Sequence, residues 1–72
     1  MARIEYKTRK ILGKKIKHLR KLQRLTQEDL AETVGLSSTY IGHIEQGRKS
    51  PSLEAITRIA KVLKVKIKDL FS

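Results

Sequence analysis

The chain has no cysteine and no tryptophan, a single proline, and aromatic residues at only 4% of its positions. Without cysteine, disulfides and thiolate metal ligands are excluded, and the sequence does not indicate a redox compartment. The scarcity of aromatic residues means that a core has to be built from Leu, Ile, Val and Ala. No apolar run approaches the ~20 residues of a transmembrane helix, and the basic N-terminus lacks the apolar segment of a secretory signal. A cytoplasmic protein is therefore expected.

The length of 72 residues predicts one small domain without a deep catalytic cleft. The few acidic residues are scattered, and no nucleophile–base pattern is present, so an enzyme is the least supported class. His18 and His43 are the only histidines, which argues against a metal site in a chain that also lacks cysteine. No cofactor, metal or small-molecule ligand is expected.

Charge is distributed unevenly along the chain, whose formal net charge is +10. Residues 1–24 hold ten Lys or Arg and one Glu, whereas residues 25–47 hold four acids and no Lys or Arg. Residues 48–72 are basic again, with seven Lys or Arg and two acids. The pattern indicates a polyanionic partner, whose phosphates would be bound mainly by the two basic flanks through counterion release.

The central segment Thr26–Gly47, TQEDLAETVGLSSTYIGHIEQG, has the pattern of two short helices joined by a glycine turn. Thr26 and Asp29 form an acidic variant of the capping box at the start of the first of these helices. Gly35 follows its last apolar residue, where a left-handed glycine closes a helix, and Ser37 is a second N-cap. Two helices joined in this way are a helix-turn-helix, whose second helix enters the DNA major groove.

Three further helices are predicted around this unit. Apolar residues from Leu12 to Leu22 recur at helical spacing and indicate a helix that is basic on its other face. Residues 53–63 and 67–71 predict a fourth helix and a short last helix, whose start at Lys66 lacks a good N-cap. Met1–Lys10, which has no clean period, is predicted to be a basic flexible arm, and residues 11–72 the DNA-binding domain.

The chain resembles the phage repressor and Cro-like helix-turn-helix family, also called the xenobiotic-response-element type, from about Leu12 to Phe71. The resemblance is carried by Gln27, Leu30-Ala31, Gly35, Ser37, Tyr40-Ile41, Ile44-Glu45, Gly47, Pro51-Ser52-Leu53 and Ile59-Ala60. It implies an all-α, compact five-helix fold like that of lambda repressor, in which the second and third helices form the reading unit.

Positions on the predicted helices suggest which side chains contact DNA. Ser38, Thr39 and His43 lie on one part of the third helix and are the candidates for base readout. The candidates for phosphate contact lie at helix starts, around the reading helix or among the basic residues just after it. They are Gln27, Ser37, Tyr40, Gln46, Arg48 and Lys49. Arg3, Lys7 and Arg9 are candidates in the arm, which reads equally well as a solvated tail.

The resemblance also implies two structural roles. Arg20 and Glu45 stand where related repressors hold an Arg–carboxylate pair between the first helix and the end of the third. The apolar C-terminal segment stands where relatives dimerise, so Val65, Ile67 and Phe71 are the predicted dimer contacts. The alternative for Leu70 and Phe71 is that both seal the monomer core.

The leading hypothesis is a sequence-specific DNA-binding transcriptional regulator, with repression favoured, that binds a palindromic operator in double-stranded DNA as a homodimer. A controller of restriction–modification genes is a variant of this class. An antitoxin-like protein-interaction module on the same fold is the second class. A membrane-active cationic peptide is disfavoured, because internal caps divide the chain into distinct segments.

Overall fold

The computed structural model describes residues 3–72, and Met1 and Ala2 lie outside the described residues. The described chain contains helices and no strand. The elements are four α-helices and one 3-10 helix: α1 Tyr6–Leu22, α2 Gln27–Val34, α3 Ser38–Glu45, α4 Leu53–Val62 and the 3-10 helix Ile67–Phe71. The predicted all-α class is confirmed, with four α-helices in the described residues instead of five.

The last of the five predicted helices is a 3-10 helix. It has only five residues and ends at Phe71, and the N–H of Asp69 donates to the carbonyl of Lys66 at 3.0 Å in the i→i+3 pattern. Such tight helices are used in short pieces. Lys66 provides no side-chain cap, as predicted, but its own N–H is bound by the Asp69 carboxylate at 3.0 Å.

The predicted flexible arm is too long, because α1 already begins at Tyr6. Residues 6–10 lack an apolar stripe, and other contacts hold them in the helix. The side chains of Arg9 and Lys10 lie over the Tyr6 ring, at 5.5 and 5.8 Å from its centre. Arg9 also donates to the carbonyl of Gly47 at 3.0 Å, which ties the first turns of α1 to the end of α3.

The core is aliphatic, as predicted, and α3 packs against both α1 and α2. The fully buried side chains of the core come from all five elements. They are Leu12, Ile16, Leu30, Ile41, Ile44, Ile59, Leu63 and Leu70. Leu53, an apolar residue of α4, is instead 71% exposed. It occupies the first position of that helix, where the helical stripe has not yet turned inward.

All four α-helices end in the same backbone motif. One residue just after each helix has a positive φ. These residues are Arg24 (58°) after α1, Gly35 (72°) after α2, Gly47 (72°) after α3 and Lys64 (61°) after α4. The next N–H donates back to a carbonyl five residues earlier, as from Leu25 to Arg20 at 3.1 Å and from Val65 to Ala60 at 3.0 Å. These are Schellman closures, which satisfy the free carbonyls of the last turn.

Candidate nucleic-acid interface

The starts of α2 and α3 are capped by the side chains that the sequence indicated. Thr26 Oγ1 accepts from the N–H of Asp29 at 2.9 Å, and the Asp29 carboxylate accepts from the N–H of Thr26 at 2.9 Å. Ser37 Oγ accepts from the N–H of Tyr40 at 3.1 Å. Two hydrogen bonds lower the pKa of Asp29 below its usual 3.8. The larger effect comes from the backbone of Thr26 and the smaller from the Thr26 hydroxyl. Both helix starts are thereby fixed before any ligand binds.

The predicted reading residues lie at the solvent-accessible side of α3. Thr39 is exposed, and Ser38 and His43 are partly exposed. Ser38 also lines a shallow depression together with Gln27, at the junction of the α2 and α3 starts. The structure therefore brings the first reading candidate beside the first phosphate-contact candidate.

Gln27 has a partner that the sequence did not reveal. Its Nε2 donates to Glu45 Oε1 at 3.0 Å and links the start of α2 to the end of α3. The bare face of Gly42 lies beside the same amide, since a Cβ added there would be 3.7 Å from Gln27 Oε1. An amide nitrogen carries two hydrogens, so one donor of Gln27 stays available for a phosphate.

The predicted pair of Arg20 and Glu45 meets inside the protein. Arg20 Nε donates to Glu45 Oε2 at 2.6 Å and Nη2 donates to Oε1 at 3.0 Å, in a bidentate arrangement. The two side chains are only 7% and 2% exposed. A third donor of the guanidinium binds the carbonyl of Leu25 at 2.7 Å. The pair joins α1 to the end of α3.

The other phosphate-contact candidates surround the reading helix. Ser37, Gln46, Arg48 and Lys49 are exposed, and Tyr40 packs partly against the core. Arg48 and Lys49, here called the basic loop, follow the left-handed Gly47 directly. The N–H of Arg48 donates to the carbonyl of His43 at 2.9 Å, which fixes where the loop leaves α3.

The three arm candidates have different surroundings. Arg3 is exposed before α1, and Lys7 is exposed within the first turn of α1. Arg9 is partly buried, and its guanidinium donates to two carbonyls, those of Gly47 and Ile4. Arg9 therefore lies in α1 and not in a free arm, with two of its guanidinium N–H groups bound to backbone oxygens, and its contact with DNA stays a prediction.

Gly13 is a second residue whose role the sequence did not indicate. A Cβ built on it would overlap the carbonyl oxygen of Ile44 and lie 2.5 Å from that of Glu45. The absence of a side chain lets α1 touch the backbone at the end of α3. A glycine in the interior of a helix costs ~1 kcal/mol relative to alanine, and that cost was the available signal of a packing role.

The predicted dimer residues lie near an apolar groove of about 920 Å³. Ile67 and Phe71 line it, whereas Val65 does not and packs against the core. Leu53 adds the most exposed large apolar side chain of the described chain. The remaining lining residues are Arg3, Ile4, Tyr40, Arg48, Lys49, Ser50, Pro51, Ser52 and Ile56. One wall of the groove is thus the basic loop.

Leu70 is fully buried, whereas Phe71 is only partly buried. The alternative in which both residues seal the core therefore holds for Leu70 and only in part for Phe71.

Within residues 3–72, no cluster of three metal-ligating side chains occurs. No helix in the same range is long and apolar enough to cross a membrane.

The fold and the exposed, capped second helix define a helix-turn-helix protein, and comparison with known proteins agrees. The chain belongs to the helix-turn-helix family HTH_3, whose family model matches residues 16–70. An uncharacterized HTH-type transcriptional regulator of Methanocaldococcus jannaschii is 49% identical over 57 residues, which are 79% of this chain and 86% of that protein. The immunity repressor of Bacillus phage phi105 is 39% identical over 56 residues, 78% of this chain and 39% of the repressor.

Solved structures give the same result. The restriction–modification controller protein C.AhdI of Aeromonas hydrophila is similar with a TM-score of 0.87 and 33% identity, over 92% of this chain and all of that one. SinR, a regulator of biofilm formation solved in complex with DNA, has a TM-score of 0.80 and 29% identity, over 85% of this chain and 98% of that one. The resemblance inferred from the sequence is confirmed, and the function class is that of a DNA-binding transcriptional regulator.

Proposed function

We propose that the chain reads a specific duplex DNA sequence through α3 and holds the adjacent backbone through α2 and the basic loop. The proposal rests on the side of α3 that bears Thr39 and His43, because this side is accessible. The cap at Ser37 and the hydrogen bond from Gln27 to Glu45 fix the helix at the same time. Preorganised polar side chains at the start of a helix suit a major groove. Short hydroxyls and an imidazole can donate or accept, so they serve several base patterns.

Phosphate contacts are assigned to Gln27, Ser37, Tyr40, Gln46 and the basic loop. The first turn of α2 directs free N–H groups outward, and such groups favour an anion. The exposed Arg48 and Lys49 supply the charge that the acidic segment 25–47 lacks. Affinity would therefore come from the edges of the reading unit, and sequence preference from its centre.

The functional species is proposed to be a symmetric homodimer on a palindromic operator, with repression as the favoured outcome. The apolar groove supports this, because Leu53 and Ile67 expose apolar surface beside the basic loop. A second copy seated there would place two reading helices on one duplex. Two half-sites double the number of bases read, which a single small domain needs for specificity.

A controller of restriction–modification genes is the favoured variant of this function. The similarity to C.AhdI extends over all of that chain, and the control protein C.BamHI of Bacillus amyloliquefaciens is 40% identical over 63 residues. An antitoxin-like interaction module remains the other class. It predicts DNA binding only in the presence of a second, co-purified protein.

Selection of bound sequences from a random duplex pool tests the proposal. A regulator of this kind should return a palindromic consensus with half-sites about 10 base pairs apart or a multiple of that distance. A consensus that occurs upstream of restriction genes in the source genome would favour the controller variant. Recovery of unselected sequences by the purified chain would overturn sequence-specific recognition.

Substitutions then separate affinity from specificity. Arg48→Ala and Lys49→Ala should weaken binding to all sequences alike, and should flatten the salt dependence by roughly one unit of slope per lost phosphate contact. Thr39→Ala and His43→Ala should instead change the preferred bases, with about 1–3 kcal/mol of discrimination for each good contact. If the last two variants kept the parental preference at every position, α3 would not be the reading helix.

A further inference from the structure

The segment before α1 and the first turns of α1 bind both ends of the basic loop. The N–H of Ile4 donates to Ser50 Oγ at 3.0 Å, just after the loop. Arg9 Nε donates to the carbonyl of Gly47 at 3.0 Å, just before the loop. The two bonds span 46 and 38 residues of sequence, so they are tertiary contacts that local helix formation does not provide.

Arg9 also connects these two attachment points to each other. Its Nη1 donates to the carbonyl of Ile4 at 2.7 Å, while its Nε holds Gly47. The stem of Lys10 lies on the same turn, since a Cβ on Gly47 would be 2.9 Å from Lys10 Cδ. Ile4, Arg9, Gly47 and Ser50 thus form a closed set of contacts, called the clamp below, around the two exposed basic side chains.

We propose that the clamp is a positioning device for DNA binding, in which Arg9 contacts no DNA and instead holds the basic loop in the orientation that meets the phosphate backbone. This inference rests on the proposed function and deepens it. A loop fixed in advance does not have to be ordered on binding, and that saving appears as affinity. Two basic side chains held between fixed points also keep a constant position relative to α3, which ends at Glu45.

The geometry separates this role from a direct phosphate contact. A direct phosphate contact by Arg9 would depend on its positive charge, which lysine also carries, whereas the clamp needs the planar fork of the guanidinium to reach two carbonyls at once. Arg9→Lys is therefore the informative variant, because it keeps the charge and loses the fork. Ser50→Ala removes the other attachment point without any change of charge.

The matched control is Arg58→Lys. Arg58 donates to the carbonyl of Val34 at 3.3 Å and pairs with Glu54, so it also ties a helix end through a guanidinium. It lies on α4, beside the end of α2 and apart from the residues that line the groove of the basic loop. A general effect of losing one such guanidinium bond would appear equally in this variant.

The experiment measures binding of each purified chain to the selected duplex over a series of salt concentrations, well below each chain's melting temperature. NMR order parameters of the Arg48 and Lys49 amides are recorded for the same free proteins. Arg9→Lys and Ser50→Ala should each weaken binding by roughly three- to tenfold with the salt slope unchanged. The two amide order parameters should fall from about 0.85 toward 0.6, and Arg58→Lys should match the parent in both measurements.

Two results would overturn the clamp alone. In the first, Arg9→Lys binds as the parent does while Arg9→Ala loses about one unit of salt slope, which would make Arg9 a direct phosphate contact. In the second, the order parameters of the basic loop stay at the parental value in both clamp variants. A parent chain that binds no duplex at all would instead overturn the proposed function, and this inference with it.

Discussion

At the scale of single residues, the buried pair of Arg20 and Glu45 is the most consequential polar contact in the described chain. Its bidentate bonds and almost complete burial mean that each charge depends on the other. Removal of one partner leaves a charge without compensation in a low-dielectric site, at a cost of about 3–5 kcal/mol for a buried pair. The neighbouring bonds to Gln27 and Leu25 moderate that cost.

We therefore expect Arg20→Met and Glu45→Met each to lower the free energy of unfolding by more than the double substitution does. Urea denaturation of the four chains gives the coupling free energy. The same cycle on the exposed pair of Glu54 and Arg58, which are 73% and 51% exposed, is the control and should show no more than ~1 kcal/mol. Equal coupling in the two cycles would contradict a special role of burial.

Gly13 and Gly42 both lie inside helices, but their surroundings differ. A Cβ on Gly13 would collide with backbone atoms at the end of α3, whereas one on Gly42 would find only the Gln27 amide at ordinary contact distance. Gly13→Ala should destabilise the fold by about 1–3 kcal/mol or more, because two backbones have to separate. Gly42→Ala should be neutral or stabilise by up to about 1 kcal/mol through helix propensity. Thermal unfolding distinguishes the two, and similar effects would contradict the close contact of α1 with α3.

At the scale of elements, the four helix ends use one closure with two kinds of residue. Gly35 and Gly47 adopt the left-handed conformation without steric cost, whereas Arg24 and Lys64 adopt it with a Cβ. Non-glycine residues in this region cost on the order of 1–3 kcal/mol. Two of the four closures are therefore strained, and both are exposed to solvent.

Lys64→Gly should consequently raise the free energy of unfolding by up to about 1 kcal/mol, since relief of strain exceeds the added chain entropy of glycine. The melting temperature should rise by about 4–8 °C for each kcal/mol gained. Lys61→Gly, inside the last turn of α4, is the control and should destabilise by about 1 kcal/mol. A lower melting temperature for Lys64→Gly would show that its side chain makes a contact that outweighs the strain.

The start of α2 should respond to acid. Because hydrogen bonds from Thr26 lower the pKa of Asp29 below 3.8 in the folded chain, the ionised cap stabilises the fold fully above pH 3.8. That contribution is lost as the pH falls from 3.8 through the lowered value. In Asp29→Asn this part of the acid dependence should disappear, as measured by urea unfolding across the pH range. Glu28→Gln, one residue earlier and outside the capping box, should keep the parental dependence.

At the scale of the whole molecule, the basic loop and the apolar groove share one side of the protein. Leu53 is 71% exposed within that groove, and Leu22 is similarly exposed, at 66%, but lies outside it. If a second copy occupies the groove, Leu53→Gln should shift sedimentation equilibrium toward monomer and weaken operator binding in parallel. Leu22→Gln should leave both unchanged, because its loss of apolar surface is equal but lies outside the proposed interface. A parent chain that stays monomeric at high concentration would contradict the dimer.

Local patterns were sufficient to predict the helix-turn-helix, its caps at Thr26 and Ser37, and the closure at Gly35. Each depends on a side chain acting within a few residues of its own position. The aliphatic core was also predictable, since helical spacing alone places residues such as Leu12 and Ile16 on one face. The pairing of Arg20 with Glu45 came from resemblance to a family, because spacing along the chain does not state which helices meet.

Tertiary contacts determined the features that the sequence patterns did not predict. The first turns of α1 have no apolar stripe, and within them Arg9 binds the carbonyl of Gly47, just after the end of α3. The role of Gly13 depends on a second backbone that packs against it in the folded chain. Leu53 is apolar, but its place in the first turn of its helix leaves it in solvent. Periodicity and capping are properties of neighbours in sequence, so the chain by itself determined α2, α3, α4 and the later turns of α1. Which distant carbonyl a guanidinium reaches is a property of packing, so only the assembled fold determined how the basic loop is held.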